Sequence, residues 1–166
     1  MTEANQFDRP VDPGDHDAIH ALVTLAFGQP DEADLVRRLR ADGAMWRETA
    51  TWIDGRLAGY VALSRMVAPL DWACLAPLAV HPDFQGQRIG MRLVTAIADA
   101  ARLGQPERMT VVVLGDPEFY GRAGFSLERA RNLSSPYPVS HTLIAGPGDD
   151  VPAERLVYPA AFDGLD

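Results

Sequence analysis

Along the chain, apolar residues fall into blocks of different period. Residues 1–8 are polar and read as a loose leader. Asp12-Pro-Gly-Asp-His16 has turn chemistry, with Asp15 placed as a helix cap. Ile19, Leu22, Val23, Leu25, Ala26 and Phe27 follow at largely helical spacing, and Gly28-Gln-Pro30 stops that helix. A second, more polar helix is predicted over 31–41, closed by Asp42-Gly43. The period then drops to that of strands. Residues 50–53 and 56–63 flank Asp54-Gly55, a short-range hairpin signal. Residues 73–80 form a continuous apolar run, the pattern of a buried strand. Pro77 inside it cannot donate to a sheet ladder, so a bulge or a splayed strand is expected there. Helical spacing returns from Ile89 to Leu103, with Gly104 as its stop. Residues 109–114 read as another buried strand, 117–122 as a short helix and 125–131 as a further strand. Beyond Ser134 the chain is rich in Pro and Gly, with strand-like pieces at Thr142-Leu-Ile144 and Arg155-Leu-Val-Tyr158. This order predicts a mixed α/β (α+β) fold whose middle strand–helix–strand is a right-handed crossover.

The segment richest in chemistry is Leu78-Ala-Val-His-Pro-Asp-Phe-Gln-Gly-Gln-Arg-Ile-Gly90. It leaves a buried strand, turns at His81-Pro82-Asp83 and enters the long helix. A helix N-terminus presents unpaired backbone N–H groups and about half a positive charge. Gly86 and Gly90 let an anion approach that backbone, and Arg88 and Arg92 would add charge for it. A diphosphate site is the physical reading. The pattern is neither a nucleoside-triphosphate P-loop nor a dinucleotide fingerprint.

The same residues resemble the acetyl-CoA signature of the GNAT superfamily of N-acetyltransferases. Gln85 matches its first position and Gly90 its last, while Arg88 stands where the family usually has a middle glycine. An arginine there is expected to keep ordinary helical dihedrals at the start of the helix. A second segment, Val113-Leu-Gly-Asp-Pro-Glu-Phe-Tyr-Gly-Arg-Ala-Gly-Phe125, is similar to the family's following strand and short helix, one long helix further on. Phe119, Tyr120, Gly124 and Phe125 carry that likeness, and the opening Arg9-Pro-Val-Asp resembles the family's first strand and turn. The likeness covers about residues 8–130 of a single domain spanning 1–166, with 131–166 as a variable tail. It implies a mostly antiparallel central sheet with a splayed strand pair and flanking helices. It also implies acetyl transfer from acetyl-CoA to a primary amine of a small molecule or protein, by direct attack in a ternary complex. Backbone groups of Leu78 and Val80 would then hold the pantetheine. Gln85, Gly86, Gln87, Arg88, Ile89, Gly90 and Met91 would hold the pyrophosphate, and Tyr120 would protonate the departing thiolate.

Other candidates divide between chemistry and structure. Asp71, at the head of the strand before the loop, is the nearest carboxylate for a general base; Glu118 or a water chain are alternatives. His81 is read as a turn residue and Cys74 as a core residue rather than a nucleophile. His16 and His20 share a helix face without a third metal ligand, so no metal site is expected. Arg37, Arg38 and Arg40 read as a solvated helix face, and Trp46, Trp52 and Trp72 as core or acceptor-pocket aromatics.

Composition narrows the partners. Of the 166 residues, 15 are basic, all of them arginine, and 23 are acidic, for a formal charge of −8. That balance disfavours nucleic acid as main partner, including the aminoacyl-tRNA used by some enzymes of this fold. The polar start, the lack of any long apolar run and the single cysteine predict a cytoplasmic protein without a membrane span. A homodimer through the tail strand or the sheet edge is a family-based expectation. The alternative to an enzyme is a non-catalytic acyl-CoA-binding sensor or partner-binding module, motivated by Arg88 and the lack of an obvious base.

Overall fold

The computed structural model describes residues 5–165. One six-stranded sheet runs in the order β1 (Gln6–Pro10), β2 (Met45–Ile53), β3 (Arg56–Arg65), β4 (Trp72–Val80), β5 (Thr110–Leu114), β6 (Thr142–Ala145). Every neighbouring pair is antiparallel except β4–β5. Helices α1 (His16–Phe27) and α2 (Asp31–Ala41) cover one face, and α3 (Ile89–Arg102) and α4 (Pro117–Ala123) the other. The parallel β4–α3–β5 unit is the crossover that the pattern predicts.

Local chemistry accounts for the boundaries. Asp54 and Gly55 both have positive φ, 49° and 79°, the twist that a two-residue hairpin needs to join β2 and β3. Gly28 closes α1 at φ 71° and donates its N–H to the Thr24 carbonyl. Helix α2, weakly apolar, places Asp31, Glu32 and Asp34 in its first turn and Arg38 and Arg40 in its last, each complementing the helix dipole.

Strand alternation divides the core. Val61, Leu63, Leu75, Val111 and Val113 pack toward α3, against Leu93, Val94 and Ala98. Tyr60 and Ala62 face α1, while Trp72, Cys74, Val112 and Ile144 meet α2 and the tail.

Several expectations are corrected. Residues 6–8 are not a leader but part of β1, because Gln6–Pro10 pairs with β2 from Ile53 to Thr49; residues 1–4 lie outside the described residues. Asp15 does not cap α1 through its side chain, which instead accepts hydrogen bonds from Arg9 (2.7 and 2.9 Å) and from the Asp12 N–H. Those Arg9 hydrogen bonds hold the Asp15 carboxyl below its usual pKa. Residues 125–131 form a single bridge at Ser126 and a 3-10 turn over Glu128–Ala130, not a strand, and the 155–158 piece makes only isolated bridges. The arginines of α2 are not uniformly solvated. Arg40 donates to both oxygens of Glu48, which also accepts from Tyr60 Oη at 2.5 Å, while Arg38 reaches the Ala161 carbonyl of the tail. Burial, reinforced by the Glu48 charge, drives the Tyr60 pKa far upward, so this bridge between α2, β2 and β3 holds a neutral phenol.

Gly59 on β3 sets the height of α3. A Cβ there would stand 2.7 Å from Ile89 Cγ2 and 3.5 Å from Leu93 Cδ1. Gly59→Ala is expected to destabilise the fold by about 1–3 kcal/mol through overpacking. In urea the midpoint should fall with an unchanged m value; an unchanged midpoint would show that α3 does not seat on this glycine.

Candidate active site

The site begins with a defect in the sheet. Val61 pairs with Leu78 and Leu63 with Leu75, so Ala62 stands opposite both Ala76 and Pro77. This is the β-bulge anticipated from Pro77. On its other edge β4 pairs with β5 only from Trp72–Thr110 to Leu75–Val113. Beyond the bulge, among the described residues, 76–80 have no strand partner on that edge, and the two parallel strands part.

Beyond Val80 the chain is held by the β2–β3 hairpin. His81 donates its N–H to the Ala58 carbonyl, and its Nδ1 accepts the Asp83 N–H at 3.0 Å, the turn role expected of it. Arg56, at the hairpin, donates to Asp83 Oδ2 at 2.8 Å and lies over the Phe84 ring. That hydrogen bond keeps the Asp83 carboxyl below its ordinary range. The clamp delivers residues 85–88 to the start of α3. Gly86 has φ 82° and Arg88 φ 60°, ψ 24°. Arg88 thus occupies the left-handed conformation of the glycine it replaces, against the expectation of helical dihedrals, at a cost of about 1–2 kcal/mol. The first intrahelical acceptor is the Arg88 carbonyl, bonded by the Arg92 N–H. The N–H groups of Ile89, Gly90 and Met91 precede it and lie free of the helix ladder. Left-handed residues just ahead of a helix turn successive N–H groups to one side, forming an anion-binding concavity.

A cavity of about 630 Å³ joins these features, a volume typical of ligand sites. Leu78, Val80, Gln85, Gly86, Arg88, Ile89, Gly90 and Met91 line it, with Phe84, Thr95, Phe119 and Arg122 completing the wall. Gln87 is not in the wall. Arg88 and Arg122 make no ion pair among the described residues and are available to an anion. Arg92 is not, because it pairs with Asp8 of β1 and donates to Thr51.

Tyr120 stands beside the cavity rather than in its wall. Its ring lies edge-on to Phe119 and Phe125 and leaves no room for a side chain at Gly115, the residue that follows β5. It therefore sits at the end of β5 where β4 has departed. Burial raises its pKa to about 12. Asp71 is not brought to this site. It precedes the opposite end of β4 and lines a separate hollow with Arg108 and Arg129. Glu118 follows Asp116, whose carboxylate caps α4 by accepting the Glu118 N–H. Cys74 is buried with a pKa raised to about 12 by burial, as befits a core thiol. Among the described residues no cluster of His, Cys, Asp or Glu is arranged to hold a metal ion, and no helix is long and apolar enough to cross a membrane.

Residues 46–127 match the family described as an acetyltransferase (GNAT) domain. The uncharacterized N-acetyltransferase YhbS of Escherichia coli K12 is 37% identical over 130 residues, covering 76% of this chain and 77% of that protein. The chain belongs to the GNAT acetyltransferase family. A crystal structure of Escherichia coli YhbS in complex with CoA superposes with a TM-score of 0.88 at 30% identity, over 100% of this chain and 96% of that one. A GNAT family acetyltransferase from Brucella melitensis in complex with acetyl-CoA gives 0.78 at 28% identity, over 96% and 99%.

Within this GNAT fold the site residues that sequence reasoning missed are Arg122, Phe119, Phe84 and Thr95. Arg122 carried a signal, since it lies three residues beyond Phe119 on α4 and shares its face.

Arg88 gives a test that separates strain from charge. Arg88→Gly is expected to stabilise the fold by about 0.5–1 kcal/mol, and Arg88→Ala not to, because only glycine accepts the left-handed backbone freely. Thermal unfolding of both variants checks it. Equal stability of the two would show that Arg88 is not held at positive φ.

Proposed function

We propose that this chain transfers an acetyl group from acetyl-CoA to a primary amine. The observation that carries the reading is a single cavity in which the unpaired edge of β4 runs into the N–H concavity at the start of α3. The pantetheine arm of acetyl-CoA is an extended chain with two amides, so it suits a strand edge left without a partner. Its pyrophosphate suits the N–H groups of residues 85–91, with Arg88 and Arg122 adding charge. Two relatives crystallised with CoA and acetyl-CoA support the same assignment.

In the transfer, the amine lone pair attacks the thioester carbonyl carbon. A C–N bond forms, the C–S bond breaks, the nitrogen gives up its proton and the CoA thiolate accepts one. Tyr120 is the donor to sulfur: burial keeps its phenol protonated to about pH 12, so a proton is present across the physiological range. No carboxylate lines the cavity among the described residues, so water receives the amine's proton. That same lack favours a second reading, an acyl-CoA-binding module without turnover.

Calorimetric binding and CoA-release assays on the purified chain decide between these. Acetyl-CoA is expected to bind saturably and stabilise by about 2.7 kcal/mol at a hundred times its Kd. Tyr120→Phe is expected to lower kcat by about 10²-fold, within the range of general-acid contributions, with an unchanged acetyl-CoA Kd. Binding without CoA release for any amine would favour the second reading, and an unaltered kcat would remove Tyr120 from the chemistry.

A further inference from the structure

The α3 face of the sheet holds a second cavity, of about 500 Å³, again the size of a small-molecule site. Helix α3 serves the two spaces with different positions. Met91 and Thr95 line the cofactor cavity, while Leu93, Ile97 and Ala100 line this one, about half a helical turn away. The two cavities share no wall residue.

Its floor is apolar. Val61 and Leu63 of β3 are buried and form part of it, and α3 supplies one side. Strand β2 supplies the other side through an irregularity of its own. Met45 pairs with Ser64 and Arg47 with Leu63, so Trp46 has no partner on β3. Regular alternation would turn these two neighbours to opposite faces of the sheet. The bulge instead brings both Trp46 and Arg47 to the cavity. Trp46 packs on the apolar cluster beneath α3, and the Arg47 guanidinium lies over its ring, 5.7 Å from the ring centre.

The charges of the wall do not balance. Two charged side chains line the cavity, Asp8 and Arg47. Asp8 is already engaged, since its carboxylate pairs with Arg92 and accepts from Thr51 Oγ1 at 2.7 Å. Arg47 makes neither an ion pair nor a side-chain hydrogen bond among the described residues. Thr49 and Gln105 are the other polar side chains of the wall, and both are uncharged. The space is therefore an apolar hollow with one uncompensated positive charge at its β2 side.

From this combination we propose that the cavity is a second binding site, and that it takes a small apolar monocarboxylate. The hydrocarbon body lies between α3 and β3, where its burial removes apolar surface from water. The carboxylate meets the Arg47 guanidinium, whose planar fork matches two carboxylate oxygens. An amine of the same length brings a second cation against Arg47, and an alcohol leaves the guanidinium without a counter-charge. The site requires no step of acetyl transfer and stands apart from that reading.

Decanoate is the probe, and decylammonium, the same chain with the opposite charge, is its control. Each is titrated below its micelle concentration into the isotope-labelled full chain, and the backbone amide resonances are followed. Decanoate is expected to give saturable shifts at Trp46, Arg47 and residues 96–101. It should bind at least about tenfold more tightly than decylammonium, the scale of one charge-assisted contact. Arg47→Gln should remove that preference by weakening decanoate. Ala100→Leu, at a half-buried position of α3, should fill the space and abolish decanoate binding with Arg47 still present; thermal unfolding shows that both variants fold. The inference is overturned if decylammonium binds as well as decanoate, if the shifts fall on residues 85–91 instead, if Arg47→Gln alters nothing, or if neither compound binds. A dimer in sedimentation that Arg47→Gln dissociates would also overturn it, by giving this face to a second copy of the chain.

Discussion

Strand β4 is hydrogen-bonded on both edges as far as Leu75 and on one edge afterwards, and the cofactor cavity depends on that change. Two residues, Ala76 and Pro77, oppose the single Ala62 of β3, and proline has no N–H to offer the ladder. Past this point β4 diverges from β5. A sheet that stayed closed would spend the backbone groups of 76–80 on its own ladder. Because it opens, an edge of unpaired N–H and C=O groups is held rigidly on β3, ready for a ligand with amides of its own.

Other features hold that opening in register with the loop that enters α3. The Asp54-Gly55 turn brings Arg56 onto Asp83 and Phe84, so the hairpin sets the position of the loop from outside. Gly59 lets Ile89 settle onto β3, which sets where the α3 N-terminus lies. Arg88 then accepts a left-handed backbone with a long cationic side chain in place of glycine. The fold gives up some local stability there and gains a guanidinium at the mouth of the N–H concavity.

Features set by short-range chemistry were legible in the sequence. The Asp54-Gly55 hairpin, the ends of α1 and α2, the bulge at Pro77 and the loop from Gln85 to Met91 each follow from residues adjacent in the chain. What depended on distant partners was not. Strand β1 exists because Gln6–Pro10 finds the free edge of β2; the family likeness reached Arg9 and Pro10, but nothing within the polar residues 6–8 announces a strand. Arg92 looked like a second phosphate ligand by its place in the helix, but Asp8, 84 residues away, engages it. Arg122, on α4, lines the cavity and forms no ion pair among the described residues. Asp71 seemed close to the loop because it heads the same strand, yet a nine-residue strand carries its two ends to opposite ends of the sheet, roughly 30 Å apart. Arg88 misled in a different way. Its side chain suggested a helical backbone, whereas the backbone is dictated by the turn from β4 into α3.

The central claim is that acetyl-CoA lies along the freed edge of β4 with its pyrophosphate on residues 85–91. The most direct measurement is a titration of isotope-labelled protein with acetyl-CoA, followed through the backbone amide resonances. Saturable shifts concentrated at Leu78, Val80 and Gln85 through Met91, with Asp71 and strand β1 unmoved, are the predicted result. Shifts that leave residues 85–91 untouched, or none at saturating ligand, would contradict it.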